Sequence, residues 1–315
     1  MIGHVIVKTE GLVCMRVFQV LHVGAAAAEA FTTASGGIVV GVTSKGAFLR
    51  AENRILFLTE LDYRSPFNLQ VNRVSELCNL LEPGDKFKFV NNGIDFTGSN
   101  LHLDTFSASL WLPPGPVGII SSTAQQLDRS ERLLSKINQS NPEKGFLFIT
   151  RPSGDTLSQF QQKISLAAHA LTEAFHREDH DAFMAASIQL VGVGGGLTPS
   201  GDDFLAGFFL YHFRKTEAEA LHSDFLEGCW RDLVGYSFEK TTTISANRLE
   251  YTAKGWSEWL FLELIDYLFD PSVEFSESKI HTLINFGHSS GIDTLVGVDF
   301  AIKSLIPGTN KNRSS

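Results

Sequence analysis

The spacing of apolar residues changes once along the chain. From about Gly36 to Trp111, short β-branched and aromatic runs are separated by turn residues, the signature of strands. "AFLRAENRILFL" predicts a hairpin, and "KFKFVNNGIDFTG" places Asn92-Gly93 between two alternating runs, the strongest short hairpin signal. "SPFNLQV" and "NLHLDTFSASLWL" supply further strands. Alanine-rich "VGAAAAEAF" before them predicts one short helix. "PPGP", Pro113 to Pro116, then interrupts regular structure.

Beyond it the period becomes helical. Leu157, Phe160, Ile164, Ala168, Leu171 and Phe175 recur at three- and four-residue steps, with Asp155 as the expected N-cap. Further helices are expected over Ala124–Ile137, His180–Leu190, Asp202–Phe213, Ala218–Val234, Trp256–Phe269, Ser276–Phe286 and Gly291–Leu305. The pattern predicts an α+β fold. A β-rich N-terminal domain, residues 1–116, forms a small antiparallel sheet or barrel; a mainly α-helical domain, residues 117–306, and a frayed tail, 307–315, follow. Strands do not alternate with helices, which argues against a doubly wound parallel sheet.

Composition narrows the function classes. Of 315 residues, 43% are hydrophobic and 19% charged, suited to a buried core and not to a disordered chain. The formal charge is -9 with Lys and Arg scattered, so neither nucleic acid nor an anionic membrane is expected as a partner. Cys14, Cys78 and Cys229 are odd in number and far apart, which suits free thiols in a reducing cytoplasm better than a disulfide framework. Lys8, Glu10 and Arg16 break up the N-terminal apolar text, so no signal peptide is expected, and no run reaches the ~20 apolar residues of a membrane span.

The most unusual text is "GVGGGLTPSGDDFLAGF", and part of it recurs. "TPSGDDFLAG", Thr198 to Gly207, and "HSSGIDTLVG", His288 to Gly297, share Ser-Gly-x-Asp-x-Leu-x-Gly, each opening an apolar helix. They are expected to face each other across one pocket in the helical half. A purely structural explanation is available: Ser200 and Ser290 are natural N-caps, and Asp203 and Asp293 stand three residues on, where an acid completes a reciprocal cap. Capping, however, does not require Gly194, Gly195, Gly196, a Thr-Pro or the doubled Asp202-Asp203. Glycines let backbone N–H groups converge on an anion at a helix N-terminus.

The loop is neither a P-loop, lacking Gly-Lys-Ser/Thr, nor a dinucleotide fingerprint, because Leu197 occupies the third glycine's place. Adjacent carboxylates repel a bare phosphate. The mixture fits a small anion carrying carbamoyl or amide groups: Thr198, Ser200, Gly201 and the backbone as donors, the aspartates as acceptors of N–H. Mg2+ on Asp202 and Asp203 is the alternative. "EKTTTISANRLEY" adds Thr241, Thr242 and Ser245 as a site wall, with Arg248 able to grip a carboxylate in bidentate fashion; its structural explanation is a threonine-capped helix start. Ser289, Ser290 and Gly291 line the second loop. His288, at its mouth, is placed to act as an acid/base or to donate to an oxyanion.

Taken together, "GVGGGLTPSGDDFLAGF", "TTTISANRLEYTAKG" and "LINFGHSSGIDTLVGV" resemble, in order and spacing, the AllH-like family, over roughly Leu190 to Leu305. The family's first loop usually has Gly-Pro-Gly; here Gly195 replaces the proline. The resemblance implies a component of oxamate carbamoyltransferase, which uses phosphate to cleave oxalurate into oxamate and carbamoyl phosphate alongside companion subunits, within allantoin breakdown. On that basis Gly194, Gly195, Gly196, Thr198 and Ser200 would take the phosphate or oxyanion, and Asp202, Asp203 and Asp293 would orient N–H groups or a metal. Arg248 would take the substrate carboxylate, and His288 would move protons. A non-catalytic metabolite-binding or assembly subunit, and a Mg2+-dependent enzyme on a phosphorylated small molecule, are the two rival expectations.

Overall fold

A computed structural model describes residues 15–61, 64–140, 143–150 and 157–306. The chain divides into two compact units, Met1–Pro113 and Pro114–Ser315. Among its described residues the first holds nine strands: β1 Arg16–Gly24, β2 Gly36–Thr43, β3 Gly46–Ala51, β4 Arg54–Thr59, β5 Asn68–Val71, β6 Lys86–Val90, β7 Gly93–Thr97, β8 Leu101–Asp104 and β9 Ser109–Trp111. Two short helices, α1 Ala25–Thr33 and α2 Val74–Cys78, accompany them. Eight strands run in the order β5-β4-β3-β2-β6-β7-β8-β1, and pairing of β1 with β5 closes them into a barrel, with β9 added beside β1. Closure leaves few free strand edges.

The pairing is mixed rather than wholly antiparallel: β1–β8, β1–β9 and β4–β5 run parallel. Inward-facing residues such as Phe18, Val20, Val39, Leu49, Leu58, Leu69, Phe87, Ile94 and Leu103 fill the interior. The β3–β4 hairpin closes at Ala51↔Arg54, as its text predicts. In the β6–β7 hairpin Val90 pairs with Gly93, so Asn91 and Asn92 make the turn and Gly93 already belongs to the strand. Gly93 (φ +154) is needed there because a Cβ would strike the Leu103 carbonyl.

The second unit is helical: α3 Thr123–Ser140, a 3-10 turn Gly145–Thr150, α4 Gln159–His176, α5 His180–Ile188, α6 Ser200–Ala218, α7 Asp224–Lys240, α8 Thr243–Tyr251, α9 Trp259–Phe269, α10 Glu277–Ile284 and α11 Ser290–Ser304. Asp155 and the 307–315 tail lie outside the described residues. Helix α4 is instead capped by Ser158 in a capping box with Gln161, and Phe160, expected on the buried stripe, is 60% exposed in the first turn. Helix α7 starts six residues later than expected, because α6 runs on through Ala218 and Ser223 caps the next helix by accepting from Leu226 N.

At the centre lie α6 and α11. Residues 201–214 of the first and 290–302 of the second are all buried, which is why neither shows an amphipathic stripe. The two helices cross at reciprocal glycines. A Cβ on Gly207 would collide with the Thr294 backbone, and one on Gly297 with the Phe204 backbone. Phe204 and Thr294 are equivalent positions of the repeat, so the contact has local pseudo-two-fold symmetry.

Gly207→Ala or Gly297→Ala therefore overpacks backbone against backbone, at a cost of about 2–3 kcal/mol, the upper part of the range for such changes. The midpoint of thermal unfolding is expected to fall by about 5–10 °C. Gly195→Ala, at an open position without positive φ, is expected to leave it within about 2 °C.

Candidate active site

The two Ser-Gly-x-Asp loops meet. Thr198 Oγ1 and Ser290 Oγ share a hydrogen bond of 2.8 Å, and Ser200 Oγ lies 3.4 Å from Ser289 Oγ. The expected caps are not formed. Helix α6 starts after Pro199 and α11 after Ser289, neither with a side-chain cap, and Ser200 and Ser290 are first helical residues. Their hydroxyls instead reach across between loops. Ser290, with Thr198, faces Asp203, and Ser200, with Ser289, faces Asp293. Each serine of the repeat thus serves the other copy's aspartate.

These crossings depend on glycines that bring the chain close to itself. Gly201 packs on the Leu190 carbonyl and donates to Val193 O at 2.8 Å; Gly291 packs on the Leu283 carbonyl and donates to Phe286 O at 3.2 Å. The lead into the first loop is an exposed turn in which Gly194 (φ +116) and Gly196 (φ +90) adopt left-handed backbone. Gly194 also abuts the Ser200 backbone, whereas Gly195 faces open space.

The aspartates are used differently. Asp202 turns back to its own loop, accepting from Gly192 N at 2.8 Å and from the Thr241 hydroxyl, with Ser245 facing it. Thr242 Oγ1 donates to Leu197 O at 2.6 Å and accepts from Ser245 N, so it fastens the first loop and caps α8 together. That confirms the threonine-capped helix start. Arg248 is only 7% exposed, with Nη1 on Asp203 Oδ1 and Nε 3.3 Å from Glu258 Oε1. Its guanidinium is engaged by the protein's own carboxylates. Asp293 Oδ1 accepts from Phe146 N at 2.6 Å. Gly145 (φ +57) makes that approach possible, since a Cβ there would strike the Asp293 carboxylate. His288 is exposed, and in its protonated form favours the ionised form of Asp293.

Asp203 and Asp293 are 1% and 0% exposed, and Oδ2 of each closes no hydrogen bond. Burial pushes Asp203 up to about 7, against the opposing pull of Arg248 and the hydroxyls, with repulsion from Asp293 adding to the rise. Burial likewise lifts Asp293 to about 6, opposed first by the Phe146 amide. Asp202 is also raised by burial. Two facing carboxylates that exchange protons near neutral pH suit acid/base work on a bound molecule. Among the described residues no group of three or more His, Cys, Asp or Glu side chains has the arrangement of a metal site. Both Asp202 oxygens are tied to the chain itself, so it does not share an open face with Asp203.

Residues 190–302 match the family model of oxamate carbamoyltransferase subunit AllH. Over that segment the chain is similar to the AllH family. The matched segment is about a third of the chain and contains both loops, Thr241 to Arg248 and Glu258. No solved structure matches the chain. The family description is of a subunit, which implies companion chains, and among the described residues no helix is long and apolar enough to cross a membrane.

Glu258 and the Gly145–Phe146 turn were not expected at the site. Glu258 stands as a single acid in "GWSEWLF", and Gly145 opens the apolar run "GFLFIT"; neither carries a motif.

The raised acids set a pH dependence. Their folded forms hold protons more tightly than the unfolded chain, so this stabilisation is complete below about pH 4 and is lost as pH rises through about 6 and 7. Asp203→Asn is expected to flatten that descent in a plot of unfolding midpoint against pH; an unchanged slope would contradict the assignment.

Proposed function

We propose that the helical unit carries the small-molecule site of a carbamoyltransferase subunit, cleaving oxalurate with phosphate to oxamate and carbamoyl phosphate. The observation that carries this is the crossed pair of loops, which leaves Asp203 and Asp293 each with an unpartnered buried oxygen beside a rim of hydroxyls and an exposed glycine turn. The AllH match supports the reaction class.

In the reaction a phosphate oxygen attacks the carbamoyl carbon, and the bond from that carbon to the oxamate nitrogen breaks. Phosphate gives up a proton and the leaving nitrogen gains one. The exposed Gly194–Gly196 turn, with Thr198 and Ser200, receives the phosphate and the developing oxyanion. Asp203 and Asp293 accept the substrate N–H groups through their free oxygens, and whichever is protonated supplies the proton to the leaving nitrogen. Their upward shift bears on anion binding, because a protonated carboxyl does not repel phosphate. Arg248 provides the counter-charge that holds Asp203, instead of gripping the substrate carboxylate. His288, at the exposed rim, passes protons to solvent. No cofactor is assigned, and companion subunits complete the enzyme.

A non-catalytic subunit is the rival reading, favoured by the near-complete burial of both carboxylates. Turnover separates the two. Purified chain, alone and with its companions, is given oxalurate and phosphate, and carbamoyl phosphate is measured. Formation by a combination containing this chain is expected, with kcat/KM lowered about 100-fold or more by Asp203→Asn or Asp293→Asn. No carbamoyl phosphate from any combination would overturn the function. Full activity in both variants would overturn the residue roles.

A further inference from the structure

Glu258 immediately precedes α9, where an acidic side chain ordinarily turns to the free amides of the first helical turn. Here it does not. Its backbone carbonyl accepts from Phe261 N at 2.9 Å and Leu262 N at 3.3 Å, but its side chain makes no cap. The residue is instead 7% exposed, with Oε2 accepting from Ser257 Oγ at 2.9 Å and Oε1 3.3 Å from Arg248 Nε. The Phe261 ring, one turn into the same helix, lies under the guanidinium at 5.6 Å. One buried cation is therefore held on two edges by two carboxylates, Asp203 and Glu258, and on a face by a ring.

The arrangement is economical in charge. A guanidinium committed wholly to Asp203 would keep that carboxylate ionised, whereas one shared with a second anion compensates it only in part. We propose that Glu258 is a positioning residue, pinning Arg248 so that its charge is divided between two carboxylates and Asp203 stays able to take up and release a proton. This deepens the reading in which Asp203 handles a proton at the site. The groups facing Asp203 are Arg248 from α8, Asp293 and Ser290 from α11, and Thr198 from the first loop; its neighbour Asp202 turns away to Gly192 and Thr241.

The test needs no substrate, so it stands apart from the proposed reaction. Unfolding midpoints of the full chain are measured from pH 4 to 8 for wild type, Glu258→Gln and Glu258→Asp, with and without Asp203→Asn. Gln keeps the size of the side chain beside Arg248 Nε but carries no charge, so Arg248 compensates Asp203 more fully. The descending limb of stability is expected to end about one pH unit lower. Asp at 258 keeps the charge and is expected to hold the limb in place. In the Asp203→Asn background, Glu258→Gln is expected to shift nothing. A merely structural Glu258 would lower the midpoints uniformly without moving the limb, and that result overturns the proposal. So does an equal shift in Glu258→Asp or in the Asp203→Asn background. Were Glu258→Gln too unstable to scan, the same series in sucrose, which favours folded states generally, yields the comparison.

Discussion

Everything at the site follows from how closely α6 and α11 approach. Gly207 rests on the Thr294 backbone and Gly297 on that of Phe204, so the two helices meet backbone to backbone near their first turns. Side chains from each first turn then fall on the other helix. The Ser-Gly-x-Asp repeat is consequently more than a pair of helix starts. It is two halves of one contact, with the hydroxyl of each half directed at the acid of the other.

The contact carries an electrostatic cost. Capping serines and first-turn acids ordinarily satisfy free amides of their own helix. Here the serines are turned elsewhere, and Asp203 and Asp293 are removed from water with one oxygen each lacking a hydrogen bond. Arg248, the Phe146 amide and four hydroxyls offset burial only in part, and the acids stay raised. Such uncompensated burial is poor for stability and suits acid/base chemistry, since it sets proton exchange near neutral pH.

Much of this was legible in the text because it rests on local signals. The change of period separated barrel from helices, and the repeated motif located the paired loops, their glycines and their acids. The departures from these signals share one cause: local text does not report what the fold brings alongside. Serine before an acid reads as a cap, yet Ser200 and Ser290 point across a contact between segments ninety residues apart. Strand β1 was not expected, because Val17 and Leu21 put apolar residues on its exposed side and blur the alternation. Phe160 fitted a helical stripe but sits in the exposed first turn. Glu258 and Gly145 meet the site at Arg248 and Asp293, to which no spacing rule connects them.

The central claim is that Asp203 and Asp293, from the two halves of the repeat, form one electrostatically coupled pair. Carbon-13 NMR of the Asp203 carboxyl carbon during a pH titration, in wild type and in Asp293→Asn, measures that coupling most directly. The account predicts a wild-type midpoint near 7 that moves clearly downward once the neighbouring charge is removed, because Asp293 raises Asp203. A midpoint the same in both proteins would show that the two acids titrate independently and that the loops do not make a single site.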